Sequence, residues 1–165
     1  MMKGCVIALC GKIAAGKTTY AERLRREQGA VLLSCDDLLL TLFDSCLGER
    51  HDETVVRCSD YLHRLAVQLA EAGNTVVLDF GYWTKQARKT ARDFFAAKNI
   101  SFSMVWLVCE ESVRLLRLKQ RNERLKKEPR RTFIIDEEKR IRLDDKFECP
   151  ETEEQIQILD TTAGI

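Results

Sequence analysis

The sequence predicts an α/β fold in three layers, a parallel sheet with helices packed on both faces. Short apolar runs alternate with longer segments of helical periodicity along the whole chain. The runs are continuous, as in strands buried on both sides, and lack the every-other-residue pattern of a sheet with one wet face. A chain of 165 residues can also bury about two thirds of its unfolded surface, so it needs neither metal nor disulfide to hold a core. The expected organisation is one domain over 1–165.

The elements follow in order. CVIALC, 5–10, reads as a buried strand, and GKIAAGKT, 11–18, as a glycine loop opening a helix over 17–28. AVLLS, 30–34, is a second strand, after which Asp36-Asp37 opens a short apolar helix, LLLTLF. The polar stretch 44–53 reads as a loop. From 55 to 72, apolar residues at 55, 58, 62, 65, 66 and 69 describe an amphipathic helix ended by Gly73-Asn74. TVVLD, 75–79, is a third strand, FGYW a turn, and 84–98 a helix with Ala87, Ala91 and Phe94 on one face. FSMVWLV, 102–108, is a fourth strand and 111–127 a charged helix, broken by Pro129. The stretch 130–150 is polar and uneven, and QIQILD, 155–160, reads as a late strand. Crossovers between parallel strands are expected to be right-handed.

Composition narrows the function classes. Apolar residues make up 45% and charged residues 32%, at a net charge of +1. That balance argues against a broad basic face for duplex nucleic acid, though not against a local arginine cluster. No run of 18 apolar residues appears, so no membrane span is expected, and VIALC near the start is too short for a signal sequence. Seven cysteines, an odd number with no CxxC pair, give no zinc spacing with His51 and His63. Buried, reduced thiols and a cytoplasmic location are the expectation, with a reactive Cys35 as an unsupported alternative.

The chemistry starts at the loop. Gly11 and Gly16 allow the dihedrals that turn backbone N–H groups inward on phosphate oxygens. Lys12, Ala14, Ala15 and Gly16 supply that backbone, and the helix start at Lys17, Thr18 and Thr19 adds unpaired N–H groups and a positive dipole end. Lys17 offers an ammonium to the β- and γ-phosphates, and the Thr18 hydroxyl a ligand to Mg2+. G-x-x-x-x-G-K-[ST] between strand and helix therefore predicts a nucleoside triphosphate site. No N/TKxD base-reading motif follows, so ATP is the expected nucleotide.

Other candidates lie at strand ends, where ligands of open α/β sheets sit. Asp79 ends the third strand and either holds Mg2+ or caps the FGYW turn. Asp36 follows the second strand and either accepts a proton from a hydroxyl acceptor, with Asp37 left to cap the next helix, or is itself that cap. Arg114, Arg117, Arg121 and Arg124 are spaced 3, 4, 3 on one helix face. They either face phosphates across a cleft or form a solvated, ion-paired face, the latter being the expectation for Arg114. Leu115, Leu118 and Leu125 are taken as the buried stripe beside them. Tyr82 and Trp83 either stack on a ring-shaped substrate or staple the helix capped by Thr84. Arg88 could reach an anionic substrate, and His51 and His63 receive no catalytic role. The stretch around 125–135, KKEPRRTF at its centre, fits a lid over ATP.

Glycine loop, SCDD, VVLDFGYWT and an RxxxR helix before a lid, in that order, resemble the small P-loop kinases that include zeta toxins, chloramphenicol phosphotransferase and polynucleotide 5′-kinases. The resemblance spans nearly the whole chain. It implies a sheet in order 2-3-1-4-5 with the acceptor over strands two and three. It also implies Asp36 as base, Lys17 and Thr18 at phosphates and Mg2+, and lid arginines at Arg117, Arg121 and Arg124. Polynucleotide kinases carry D-D-x-R where this chain has Leu39 in the arginine's place, which disfavours a nucleic-acid acceptor. The expected function is an ATP-dependent phosphotransferase acting on a hydroxyl of a small molecule. The alternatives are a plain ATPase or an ATP-binding regulatory module.

Overall fold

Five strands, β1 (Cys5–Cys10), β2 (Val31–Ser34), β3 (Val76–Gly81), β4 (Ser101–Val108) and β5 (Gln157–Asp160), form one sheet in the order β2-β3-β1-β4-β5, every neighbouring pair parallel. This is the α/β class and the strand order expected. The computed structural model describes residues 3–43, 48–127 and 133–164. Six α-helices join or flank the strands: α1 (Lys17–Gln28), α2 (Cys35–Leu42), α3 (His51–Glu71), α4 (Lys85–Ala97), α5 (Glu111–Lys127) and α6 (Glu137–Asp145).

The apolar strands are continuous because the sheet is covered on both sides. Val6, Ala8, Val76 and Leu78 face one helical layer and pack with Ala66, Ala70 and Phe95 of α3 and α4. Leu9, Val77, Val105 and Leu107 point the other way, onto Ala21 and Leu24 of α1. Parallel pairing gathers all five strand carboxyl ends along one rim, with Ser34 beside Asp79 and Cys10 beside Gly81.

Several boundaries differ from the sequence expectation. α2 begins at Cys35, so Asp36 and Asp37 lie in its first turn; the Ser34 hydroxyl is the cap, accepting from Asp37 N at 3.2 Å. α3 begins at His51, four residues early, because Gly48–Arg50 already form a 3-10 turn. β3 runs on to Gly81, drawing half of FGYW into the sheet. The face that α4 buries is Arg88, Ala91 and Phe95, while Ala87 is exposed. A helix, α6, occupies part of the stretch read as uneven; its Asp136 cap accepts from Lys139 N at 2.8 Å. Of the lid expected around 125–135, residues 128–132 lie outside the described residues. Residues 125–127 close α5, and Phe133 and Ile135 are tied back to it through their carbonyls by Arg121 and Asn122.

Candidate active site

The loop after β1 has the backbone its sequence requires. Gly11 lies at φ 148° with its amide donating to Gly81 O, and a Cβ there would stand 2.6 Å from Leu107 O. Gly16 caps α1 at φ 94°, with no side-chain cap and no acidic residue in the first turn. Among the described residues no side chain caps the first amides of α1, from Lys17, Thr18 and Thr19, which is the condition for an anion site at a helix start. Between the glycines, Ala14 adopts φ 60°. Lys12 is half-exposed, and its carbonyl accepts from Ala15 N at 3.3 Å.

Lys17 reaches back over the loop, its Nζ donating to Gly11 O at 2.9 Å and Lys12 O at 2.8 Å. Burial lowers its pKa, and the Asp79 carboxylate works against that shift. Thr18 Oγ1 donates to Asp79 Oδ2 at 2.7 Å, bringing the first turn of α1 against the end of β3. Two adjacent hard oxygens suit Mg2+, which keeps several other ligands as water or phosphate. Among the described residues no cluster of three His, Cys, Asp or Glu side chains could hold a metal by itself. Asp79 has a partner in Thr18, an arrangement that a turn cap would not require.

Asp36 stands across the rim. Ser34, not Asp36, caps α2, and among the described residues no hydrogen bond or ion pair engages its carboxylate. Its surface is open to solvent, yet the surrounding walls exclude enough water to disfavour the ionised form. Burial therefore raises its pKa, helped by Asp79, while Lys17, Arg121 and His51 pull the other way. These five side chains come from α1, α2, α3, β3 and α5, so the rim joins elements far apart in the chain. A groove of about 540 Å³ between α2 and α3 is a separate feature. Its walls Leu38 and Leu42 sit on the far side of α2 from Asp36, about 200° and 240° around the helix.

The arginine helix is turned differently from expectation. Its buried residues are Arg114 and, as expected, Leu118, while Leu115 and Leu116 are exposed, so the arginine face looks inward at Arg114, Arg117 and Arg121. Arg121 is half-buried, donates to Phe133 O at 2.9 Å and has its pKa lowered by burial, with Asp36 opposing that shift. Arg117 is committed elsewhere, to Thr161 O at 2.6 Å, Thr161 Oγ1 at 3.2 Å and Cys109 Sγ at 3.3 Å. Arg124 is exposed, its Nε donating to Gln120 O of its own helix. Arg114, expected on a solvated face, is 2% exposed and paired with Glu111 and Asp144.

Three further expectations change. Arg88 does not face a substrate: it is fully buried, pairs with Glu154 through two nitrogens at 2.8 Å, and donates to Glu148 O. Tyr82 is no stacking platform either, since it is buried with its hydroxyl 2.8 Å from His63 Nε2; Thr84 caps α4 as expected. Burial pushes the Cys35 thiol up to about 11, the opposite of activation. The sequence reading gave His51 no role and missed Phe133; their rings meet edge to face at 5.8 Å, with Phe133 packed against Asp36's helix. A lone phenylalanine in a polar run was the available signal.

A glycine loop with its lysine, a Thr–Asp oxygen pair and inward-facing arginines on this sheet define a nucleotide-binding protein of the P-loop kinase class. More specifically, the chain belongs to the AAA_33 family, an AAA domain whose model matches residues 6–140. The solved structure of APE1195 is 27% identical, covering 98% of this chain and 87% of that one at a TM-score of 0.69. Kti12 of Chaetomium thermophilum, in complex with ADP-AlF3, is 14% identical over 94% of this chain and 88% of its own, with a TM-score of 0.68. The Mycobacterium tuberculosis APS kinase CysC, in complex with AMPPNP and APS, is 20% identical over 97% and 90%, with a TM-score of 0.66. No curated protein matches the chain in sequence. Among the described residues, no helix is long and apolar enough to cross a membrane.

Proposed function

We propose that the protein transfers the γ-phosphate of ATP to a hydroxyl group of a small molecule. The observation that carries this reading is Asp36, a carboxylate that caps nothing and shares the rim with Lys17, Asp79 and Arg121. A base for the acceptor's proton belongs beside, and not among, the groups that hold the triphosphate. The loop from Gly11 to Gly16 and the amides of Lys17, Thr18 and Thr19 seat the phosphates. Lys17 exchanges its loop carbonyls for phosphate oxygens, and Arg121 reaches the transferring group from α5. Thr18 and Asp79 would hold Mg2+, which supplies charge neutralisation on the phosphates. Arg124, exposed on α5, serves as an outer nucleotide contact, and Arg117 serves by bracing the end of β5. His51 and Phe133 form the acceptor-side wall. The fold also carries a nucleotide and a second ligand together in APS kinase CysC, held with AMPPNP and APS.

Lys17→Ala should abolish ATP binding or turnover; normal affinity and turnover would remove the loop reading. Screening hydroxyl compounds, including antibiotics, nucleosides and amino sugars, for stimulated ADP release identifies the acceptor. ADP release indifferent to every compound would favour a plain ATPase.

A further inference from the structure

A loop that turns its amides inward must turn its carbonyls outward, and those that face protein need donors. Lys17 serves Gly11 O and Lys12 O. Ile13 O accepts from Arg114 NH1 at 3.1 Å, and Ala15 O from Thr161 Oγ1 at 2.8 Å. These two carbonyls flank Ala14, which sits at φ 60°, a left-handed conformation unfavourable for a residue with a Cβ.

Neither donor is a casual contact. Arg114 is 2% exposed and Thr161 fully buried. Arg114 NH2 also donates to Glu111 Oε1 at 2.7 Å and to Asp144 Oδ2 at 2.6 Å, and Asp144 further pairs with Arg140 at 3.0 Å. Thr161 is held by its amide on Val108 O and by Arg117 on its carbonyl. Two carboxylates answer the guanidinium charge of Arg114, and its direct hold on the loop is the hydrogen bond to Ile13 O.

We propose that Arg114 and Thr161 are positioning residues for the phosphate loop, clamping the strained turn at Ala14 so that the loop amides converge on the nucleotide's phosphates. Neither touches the phosphates. The proposal rests on the loop being the nucleotide's seat and is independent of transfer to any acceptor. Through Asp144, the clamp also ties helix α6 to the loop.

The test is titration of the full chain with fluorescent N-methylanthraniloyl-ADP, well below the melting temperature of every variant. Arg114→Met should weaken binding about tenfold or more and Thr161→Val about threefold or more, each leaving one loop carbonyl without its donor. Arg114→Lys should resemble Arg114→Met, because an ammonium cannot bridge three fixed partners. Arg88→Met removes an equally buried arginine that donates to no loop carbonyl and should stay within about twofold in affinity while melting lower. Adding Ala14→Gly to Arg114→Met should restore a substantial part of the lost affinity, since glycine adopts this turn without strain. If Arg114→Met does not fold, Thr161→Val with and without Ala14→Gly decides alone. Unchanged affinity in the folded Arg114 and Thr161 variants, an equal loss in Arg88→Met, or no rescue by Ala14→Gly would overturn the clamp. A wild-type chain that binds the probe but phosphorylates nothing would count against the proposed transfer only.

Discussion

At Asp36 the proposed base role and stability pull in opposite directions. Burial and Asp79 raise its pKa in the folded state above the ordinary carboxylate value. A raised folded pKa means the native state binds the proton more readily than the unfolded one. Its contribution to stability is thus full at low pH and lost as pH rises through the folded value. Asp36→Asn should therefore raise the melting temperature at pH 7, with a gain that shrinks on acidification. The same variant should keep ATP binding and lose phosphoryl transfer by orders of magnitude, about 100-fold or more for a lost general base. Because the base must be ionised, the acid limb of the wild-type kcat profile should lie above the range of an unperturbed aspartate. A destabilised Asp36→Asn, or one with undiminished transfer, would contradict these expectations. The residue's place at the rim was legible from its position after the second strand. Its release from capping was not, because SCDD offers three capping candidates within four residues, Ser34, Asp36 and Asp37, and only the start of the helix chooses among them.

Among elements, α3, β3 and α4 meet through an aromatic group centred on His63. Its ring lies within 6.1 Å of those of Phe80, Tyr82, Phe94 and Phe95, and burial holds its pKa down at about 4. The unfolded chain takes up this proton near 6.5. Acidification between 6.5 and about 4 therefore favours unfolding, by at most about 3 kcal/mol from this group. His63→Gln, which can still partner the Tyr82 hydroxyl, should remove that part of the decline in urea midpoint. Identical pH profiles for both proteins would exclude the histidine as the cause. Strands and helices whose apolar pattern is unbroken, such as β1, α3 and β4, were legible within a few residues. In α5 the burial of Arg114 and the exposure of Leu115 escaped the same reasoning, since periodicity gives a leucine of the stripe to the core and an arginine near helical glutamates to solvent. α6 escaped for a related reason: Glu137–Asp145 buries no residue, so no pattern marks it.

At the scale of the molecule, the stretch from Glu148 to Glu154 is fastened to α4 by charge. Glu154, 5% exposed in its side chain, pairs with fully buried Arg88 and with Arg92. The hydrogen bonds from Arg88 hold its carboxyl down at about 2. Glu154→Gln should lower stability by about 3–5 kcal/mol, because a buried guanidinium loses its countercharge. A loss under about 1 kcal/mol in urea titration would show that the carbonyls of Tyr82, Trp83 and Glu148 suffice for Arg88. Strand alternation made the layered architecture legible, but nothing local links Arg88 to a glutamate 66 positions away. The support of the glycine loop has the same long reach, since Ala15 depends on a hydroxyl 146 positions later. During synthesis from the amino end, β1 and its loop emerge first, wait for β3 and β4 to flank them, and gain Thr161 last. Nascent chains arrested before residue 161 should retain nucleotide poorly, which would make nucleotide capture on the ribosome a clock for the completion of folding.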